Sequence, residues 1–196
     1  MKIEMRHGAG GADTGALNSD VVARHCQNEV LGRMEDGAVL PRPEGGIVLT
    51  TDSFVVQPLQ FPGGDIGRLA VCGTVNDLCC MGAVPKYLTA GFILEEGLDT
   101  ALLETLVQSM ARTAREAGVC IVAGDTKVVE GRGGLYINTA GVGVRPEGRQ
   151  ASASGMRPGD ALLLSGTLGD HHGTILAARM GLDTALESDC APLGGM

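Results

Sequence analysis

The segment DTALLETLVQSMARTAREAG, residues 99–118, constrains the fold more than any other part of the chain. Leu102, Leu103, Leu106, Met110 and Ala114 recur at helical spacing and make one apolar face, Asp99 is placed to cap the N-terminus, and Gly118 to end the helix. A helix with one apolar stripe must lay that stripe on another layer. The flanking sequence supplies one, because Lys86 to Leu94 and VCIVAGDTKVV (residues 119–129) both read as strands.

The pattern continues in both directions. GGIVLTTDSFVV, ending near Val56, is a strand bounded by glycines, PLQFPGG is a turn, and Asp65 to Met81 is a helix ended by Gly82. LYINTAGVGV (135–144) is a further strand. The order strand-helix-strand-helix-strand-strand gives an α/β layer with helices on a sheet. Upstream, HGAGGADTG (7–15) reads as a mobile glycine-rich segment, followed by a helical pattern to about Leu31 with Leu17, Val21, Val22 and Cys26 on one side. Downstream, the polar run RPEGRQASASGMRPGD reads as a linker, DALLLSG as a new strand, and GDHHGTILAARMG as a loop entering a helix. One strand and one helix cannot bury a core. The expectation is a first domain over residues 1–148 and the start of an incomplete α/β domain over 149–196, as in a fragment or truncated product.

Three aspartates interrupt these patterns. Asp52 shares a strand face with Val48, Phe54 and Val56, Asp77 lies mid-helix between Asn76 and Leu78, and Asp65 follows Gly63-Gly64 at a helix start. A carboxylate in apolar surroundings is costly unless neutralised. For Asp65 a helix cap suffices. Asp52, Asp77 and Asp125, with Asp36 beside Glu35, remain as acids on separate segments. For Asp36 a plain turn is an equal reading, since EDG is a good turn sequence. Mg²⁺ takes carboxylate oxygens together with substrate phosphates, so such a scatter suits metal ions clamping a triphosphate. Lys127 stands two residues after Asp125 between apolar residues, and is either paired with a carboxylate or aimed at a phosphate or leaving oxygen.

Composition narrows the alternatives. A net charge of −8 argues against a nucleic-acid surface but not against a metal-bridged polyphosphate. Aromatic residues make up only 3%, with no Trp, so base-stacking platforms are not the main recognition device. There is no GxxxxGK[ST], and no GxGxxG follows a strand, which removes the two commonest phosphate cradles. Of the 6 cysteines, Cys72, Cys79, Cys80 and Cys120 lie within apolar patterns and no CxxC occurs, so buried thiols rather than zinc ligands are expected, even with His171-His172 available. No apolar run approaches a membrane span and MKIEMRHGAGG lacks a signal-peptide core, so a cytoplasmic location without membrane contact is expected.

TTDSFVVQPLQFPGGDIGRLAVCGTVNDL, with YLTAGFILEEG, AGDTKVV and SGTLGDHHG, resembles the HypE hydrogenase expression/formation family, within the superfamily of aminoimidazole ribonucleotide (AIR) synthetase, thiamine-monophosphate kinase and selenophosphate synthetase. The resemblance implies a PurM-like N-terminal α/β domain that pairs with a second copy, the two sheets closing into a barrel with Mg-ATP at the interface. It implies ATP-dependent dehydration of a carbamoyl group, received from a HypF-type transferase on a C-terminal cysteine, to a thiocyanate that serves hydrogenase iron through a HypC-HypD complex. By position, Asp36, Asp52, Asp77 and Asp125 match magnesium and nucleotide positions. Thr126, Gly10 and Gly11 join the nucleotide site, and Lys127 and Asp77 are the catalytic candidates. Departures are Cys79-Cys80, read as core fillers, the doubled His of GDHHG, and the absent cysteine tail, a role that Cys190 in ESDCAPLGG does not take. Other readings are a different superfamily enzyme acting on a free small molecule, or a dimer-forming module that docks a partner without turnover.

Overall fold

A computed structural model describes residues 1–149 and 151–194. Its centre is a four-stranded sheet in the order β1-β6-β4-β5, formed by β1 (Gly46–Phe54), β4 (Val84–Glu95), β5 (Cys120–Val129) and β6 (Leu135–Arg145). A two-stranded ribbon, β2 (Gln60–Phe61) with β3 (Gly64–Asp65), leads into α2 (Ile66–Cys80). α3 (Thr100–Glu116) carries the chain from β4 to β5, which therefore run parallel, while β6 is antiparallel to both β1 and β4. Both expected caps are present: Arg68 N–H donates to Asp65 at 2.9 Å and Ala101 N–H to Asp99 at 2.9 Å.

α2 and α3 pack on the same face of the sheet. Val71, Val75 and Leu78 of α2 and Leu103, Leu106 and Met110 of α3 meet Leu88, Phe92, Leu94 and Ile137, all almost fully buried. Each such side chain contributes about 1.5–3 kcal/mol by leaving water. The opposite face carries no helix among the described residues: Ile47 is 66% and Leu49 71% exposed, and Val84 and Ile93 are exposed beside them. The apolar character of β1 on both faces thus has a covered half and an uncovered half.

Three expectations require correction. The glycine-rich start is not a free loop, because α1 begins at Gly11 (Gly11–Leu17) and continues as a π-helical stretch, Asn18–Ala23. The preceding turn Met5–Gly8 lies against β5, where a Cβ on Gly8 would fall 2.4 Å from the Val128 nitrogen. The helix stops near His25 rather than Leu31, because the Asn28 amide donates to Cys26 O and Ile121 O and accepts from the N–H groups of Val30 and Leu31. DALLLSG is not a strand. Residues 160–166 have no strand partner among the described residues and leave Leu162 at 90% and Leu163 at 95% exposed, since ladder pairing needs a neighbour. The helix expected within GDHHGTILAARMG is present as α4 (Asp170–Met180), but it begins inside GDHHG, where a loop was expected, and it is tied to the ribbon region by Arg179 Nε–H donating to Gln57 O at 2.7 Å.

α2 approaches α3 so closely at Gly67 that an added Cβ would stand 2.2 Å from the Leu106 carbonyl oxygen. Helix propensity favours Gly67→Ala by roughly 1 kcal/mol, whereas forced separation of packed helices costs about 1–3 kcal/mol. The clash is with backbone and cannot be relieved by a rotamer, so the variant is expected to unfold at lower denaturant concentration, measured by circular dichroism. An equal or higher midpoint would contradict the tight α2–α3 contact.

Candidate functional site

The carboxylates fall into two groups at opposite edges of the sheet. Asp52 lies on edge strand β1 and Asp77 on α2, which packs beside that strand. Thr50 Oγ1 donates to Asp77 Oδ2 at 3.0 Å, and Ser53 N–H donates to Asp52 Oδ1 at 2.7 Å. Space at Gly73 keeps Asp52 close to the helix, since a Cβ there would lie 3.6 Å from Asp52 Oδ2. The expected burial of these two acids is not met, because both are exposed. Asp52 does share its face with buried Phe54 and Val56, but β1 is an edge strand, so water reaches the carboxylate past the helix. Asp77 occupies the outer side of α2 while its neighbour Leu78 is buried.

Asp125 and Lys127 lie on the other edge strand, β5, and project onto the uncovered face. The register follows one rung through Ser53, Asn138, Gly91 and Asp125. With strands about 4.8 Å apart, three intervals separate β1 from β5, or about 14 Å. Lys127 Nζ meets Asp125 Oδ1 at 2.8 Å, and this hydrogen bond, more than the Thr126 backbone N–H, holds the Asp125 carboxyl below its ordinary value. Of the two readings open for Lys127, the carboxylate pair is the one realised here.

The remaining candidates gather near β5. Asp36 is exposed in a bend, and its neighbours Glu35 and Gly37 line a cavity of about 120 Å³ together with Asn18, Phe92, Asp125 and Thr126. Thr126 is buried, and its hydroxyl donates to Asn18 Oδ1 at 2.7 Å. Gly10 and Gly11 are exposed with φ of 84° and 78°, a conformation that suits glycine, and Gly10 N–H donates to Thr14 Oγ1 at 3.0 Å. Among the described residues no three His, Cys, Asp or Glu side chains converge on one metal-sized point. One chain therefore presents two partial sets of oxygen ligands rather than a complete one.

A third feature had no signal in the sequence. The stretch after α4 folds back onto α2: Asn76 Nδ2 donates to Ala191 O at 3.0 Å, and Leu193 N–H donates to Asn76 Oδ1 at 2.8 Å. Ser188 N–H donates to Pro62 O, while His171, edge-on to Phe61, is hydrogen-bonded to Ser188. The cysteines divide accordingly. Cys26 and Cys72 are buried as expected, but Cys80 and Cys120 are exposed, because one sits on the outer side of the last turn of α2 and the other at the open start of an edge strand. Cys79 is half-buried, so only it fits the core-filling role expected of the adjacent pair.

Residues 34–145 match the family model of the AIR synthase related protein, N-terminal domain. A curated relative, "Carbamoyl dehydratase HypE" of Azotobacter vinelandii, is 52% identical over 198 residues, which cover 99% of this chain and 58% of the relative. Among solved structures, "Crystal Structure of Hydrogenase Maturation Protein HypE in complex with ATP" superposes with a TM-score of 0.93 at 50% identity, covering 97% of this chain and 58% of that one. "Crystal structure of HypE-HypF complex" gives a TM-score of 0.74 at 54% identity, covering 92% and 60%. The chain thus spans somewhat over half the length of the relatives it matches, and no helix among its described residues is long and apolar enough to cross a membrane. A matched model over more than half of the chain, on a sheet whose two helices cover a single face, establishes that the chain belongs to the AIR synthase related protein family.

Proposed function

We propose that this chain is the nucleotide-binding part of a HypE-type carbamoyl dehydratase, which uses Mg-ATP to convert an S-carboxamide on a protein cysteine to a thiocyanate, the cyanide source for hydrogenase iron. The observation that carries the reading is the division of the acids: Asp52 and Asp77 at one sheet edge, Asp125 with Lys127 at the other, and an uncovered apolar face between them. If two copies meet through that face about a two-fold axis parallel to the strands, the β1 edge of one lies beside the β5 edge of the other. Each half-set then completes its counterpart, giving two equivalent sites. The similarity to an ATP-bound HypE supports the nucleotide, and the similarity to HypE bound to HypF supports a HypF-type transferase as the carbamoyl donor. The proposal extends to a HypC-HypD complex as receiver of the product and to a cytoplasmic setting.

The ligand set fits a hard cation, since all donors are exposed carboxylate oxygens. Asp52, Asp77 and Asp125, with Asp36 further out, would hold the magnesium, which supplies charge neutralisation for the triphosphate. In the reaction the amide oxygen attacks the γ-phosphorus and the bond to ADP breaks. The nitrogen then loses its protons to a base, phosphate leaves with the C–O electron pair, and a C≡N bond forms. Lys127, paired with Asp125 in the ligand-free chain, would neutralise charge on the transferred phosphoryl group. No carrier role is proposed for Cys190.

Three measurements test this reading. Sedimentation of the chain at tens of micromolar, roughly the range in which a specific interface holds, is expected to show a dimer, and only monomer would count against the pairing. Mg-ATP is expected to raise the melting temperature, and EDTA to remove most of the gain, because a ligand that binds the native state alone stabilises it. Equal stabilisation without magnesium would remove the metal from the argument. In Asp77→Asn the amide oxygen still accepts from Thr50, so the ligand-free melting temperature is expected to hold, while ATP affinity at saturating magnesium falls on the order of tenfold, about 1.4 kcal/mol. A lower ligand-free melting temperature with unchanged affinity would make Asp77 structural.

A further inference from the structure

The strongest feature outside the proposed nucleotide site is the meeting of Cys72 on α2 with Cys190 in the segment that folds back over it. Four hydrogen bonds fix that segment. Arg68 Nε–H donates to Cys190 O at 2.8 Å, Asn76 takes both Ala191 O and Leu193 N–H, and Ser188 N–H reaches Pro62 O. The backbone on both sides of Cys190 is thereby held, and Cys72 stands one helical turn from Arg68 and one from Asn76, on the stripe of α2 that this backbone covers. The two thiols share the wall of a cavity of about 440 Å³ with Asn76, Thr167, His171 and Asp189, through which a small molecule reaches them. Cys72 itself is 2% exposed, so a large reagent is excluded.

We propose that Cys72 and Cys190 form a redox-responsive dithiol whose disulfide locks the 188–193 segment onto α2. The entropy of bringing the sulfurs together is already met by the fold, which makes the pair react as an intramolecular couple. The partition of roles follows from the surroundings. The neighbouring Cys72 thiol, and next the Arg68 guanidinium, hold the Cys190 thiol below its ordinary value, whereas Cys72 is pushed up by its Cys190 neighbour and by burial. Cys190 is the attacking sulfur and Cys72 the resolving one. With a peroxide as oxidant, the Cys190 thiolate forms an S–O bond as the O–O bond breaks and hydroxide leaves, giving a sulfenic acid. Cys72 then loses its proton and attacks that sulfur, an S–S bond forms, the S–O bond breaks, and water departs. In sum, two thiols and one peroxide give one disulfide and two waters. A dithiol reductant reverses the step by exchange.

The test uses this chain with its two exposed thiols removed by Cys80→Ser and Cys120→Ser, which prevents crosslinks between molecules. After treatment with equimolar hydrogen peroxide, peptide mapping without reductant is expected to show a loss of two hydrogens and one linked peptide pair containing Cys72 and Cys190. Dithiothreitol is expected to restore both thiols. The oxidised form is expected to melt at a higher temperature, because the bond closes a long loop in the unfolded chain. Adding Cys190→Ser is expected to leave Cys72 reduced under the same treatment. Oxidation of Cys190 to the sulfinic acid with Cys72 still free, or a crosslink to any other cysteine, would overturn the assignment, whether or not the chain binds nucleotide.

Discussion

The helices α2 and α3 both lie on one side of a four-stranded sheet, and the rest of the molecule depends on that asymmetry. The parallel β4–α3–β5 unit requires a crossover above one face, and α2 packs beside α3 on that same face. Gly67 allows the two helices to approach to backbone contact. Beneath them the buried Thr74 and Thr139 hydroxyls are hydrogen-bonded to each other within the apolar layer. The consequence is a second face that retains Ile47 and Leu49 in water, a cost that the proposed pairing of two copies would remove.

Charge placement follows from the same geometry. Asp52 and Asp125 sit on neighbouring rungs, yet on the two outermost strands and on opposite faces. Their separation avoids like-charge repulsion within one ligand-free chain, and Asp125 is balanced locally by Lys127. An exposed pair of this kind contributes little to stability, so parting it for the proposed magnesium nucleotide would cost the fold little. Edge position also explains why the acids need no buried counter-charge.

The return of the 188–193 segment adds a second layer of organisation. It places Cys190 over α2, the helix that also carries Asp77, and joins His171 of α4 through Ser188. Any change that fixes or frees this segment therefore acts on the element from which part of the candidate site projects.

The local structure is legible in the residues alone: the amphipathic helix from Asp99, the caps at Asp65 and Asp99, the strands around Asp52 and Asp125, and, through long ordered motifs, the family. These are properties of short-range spacing and backbone chemistry, which act within a few residues. The start of the first helix was misjudged because glycines that favour loops in isolation are here held against β5 by packing at Gly8. DALLLSG has a strand's composition but no neighbour to pair with, and a ladder is a property of two segments. The placing of β1 and β5 at opposite edges, the exposure of Asp52 and Asp77, and the return of the Cys190 segment onto α2 come from tertiary contacts alone. Each of those facts depends on contacts between residues far apart in the chain, and periodicity carries no information about them.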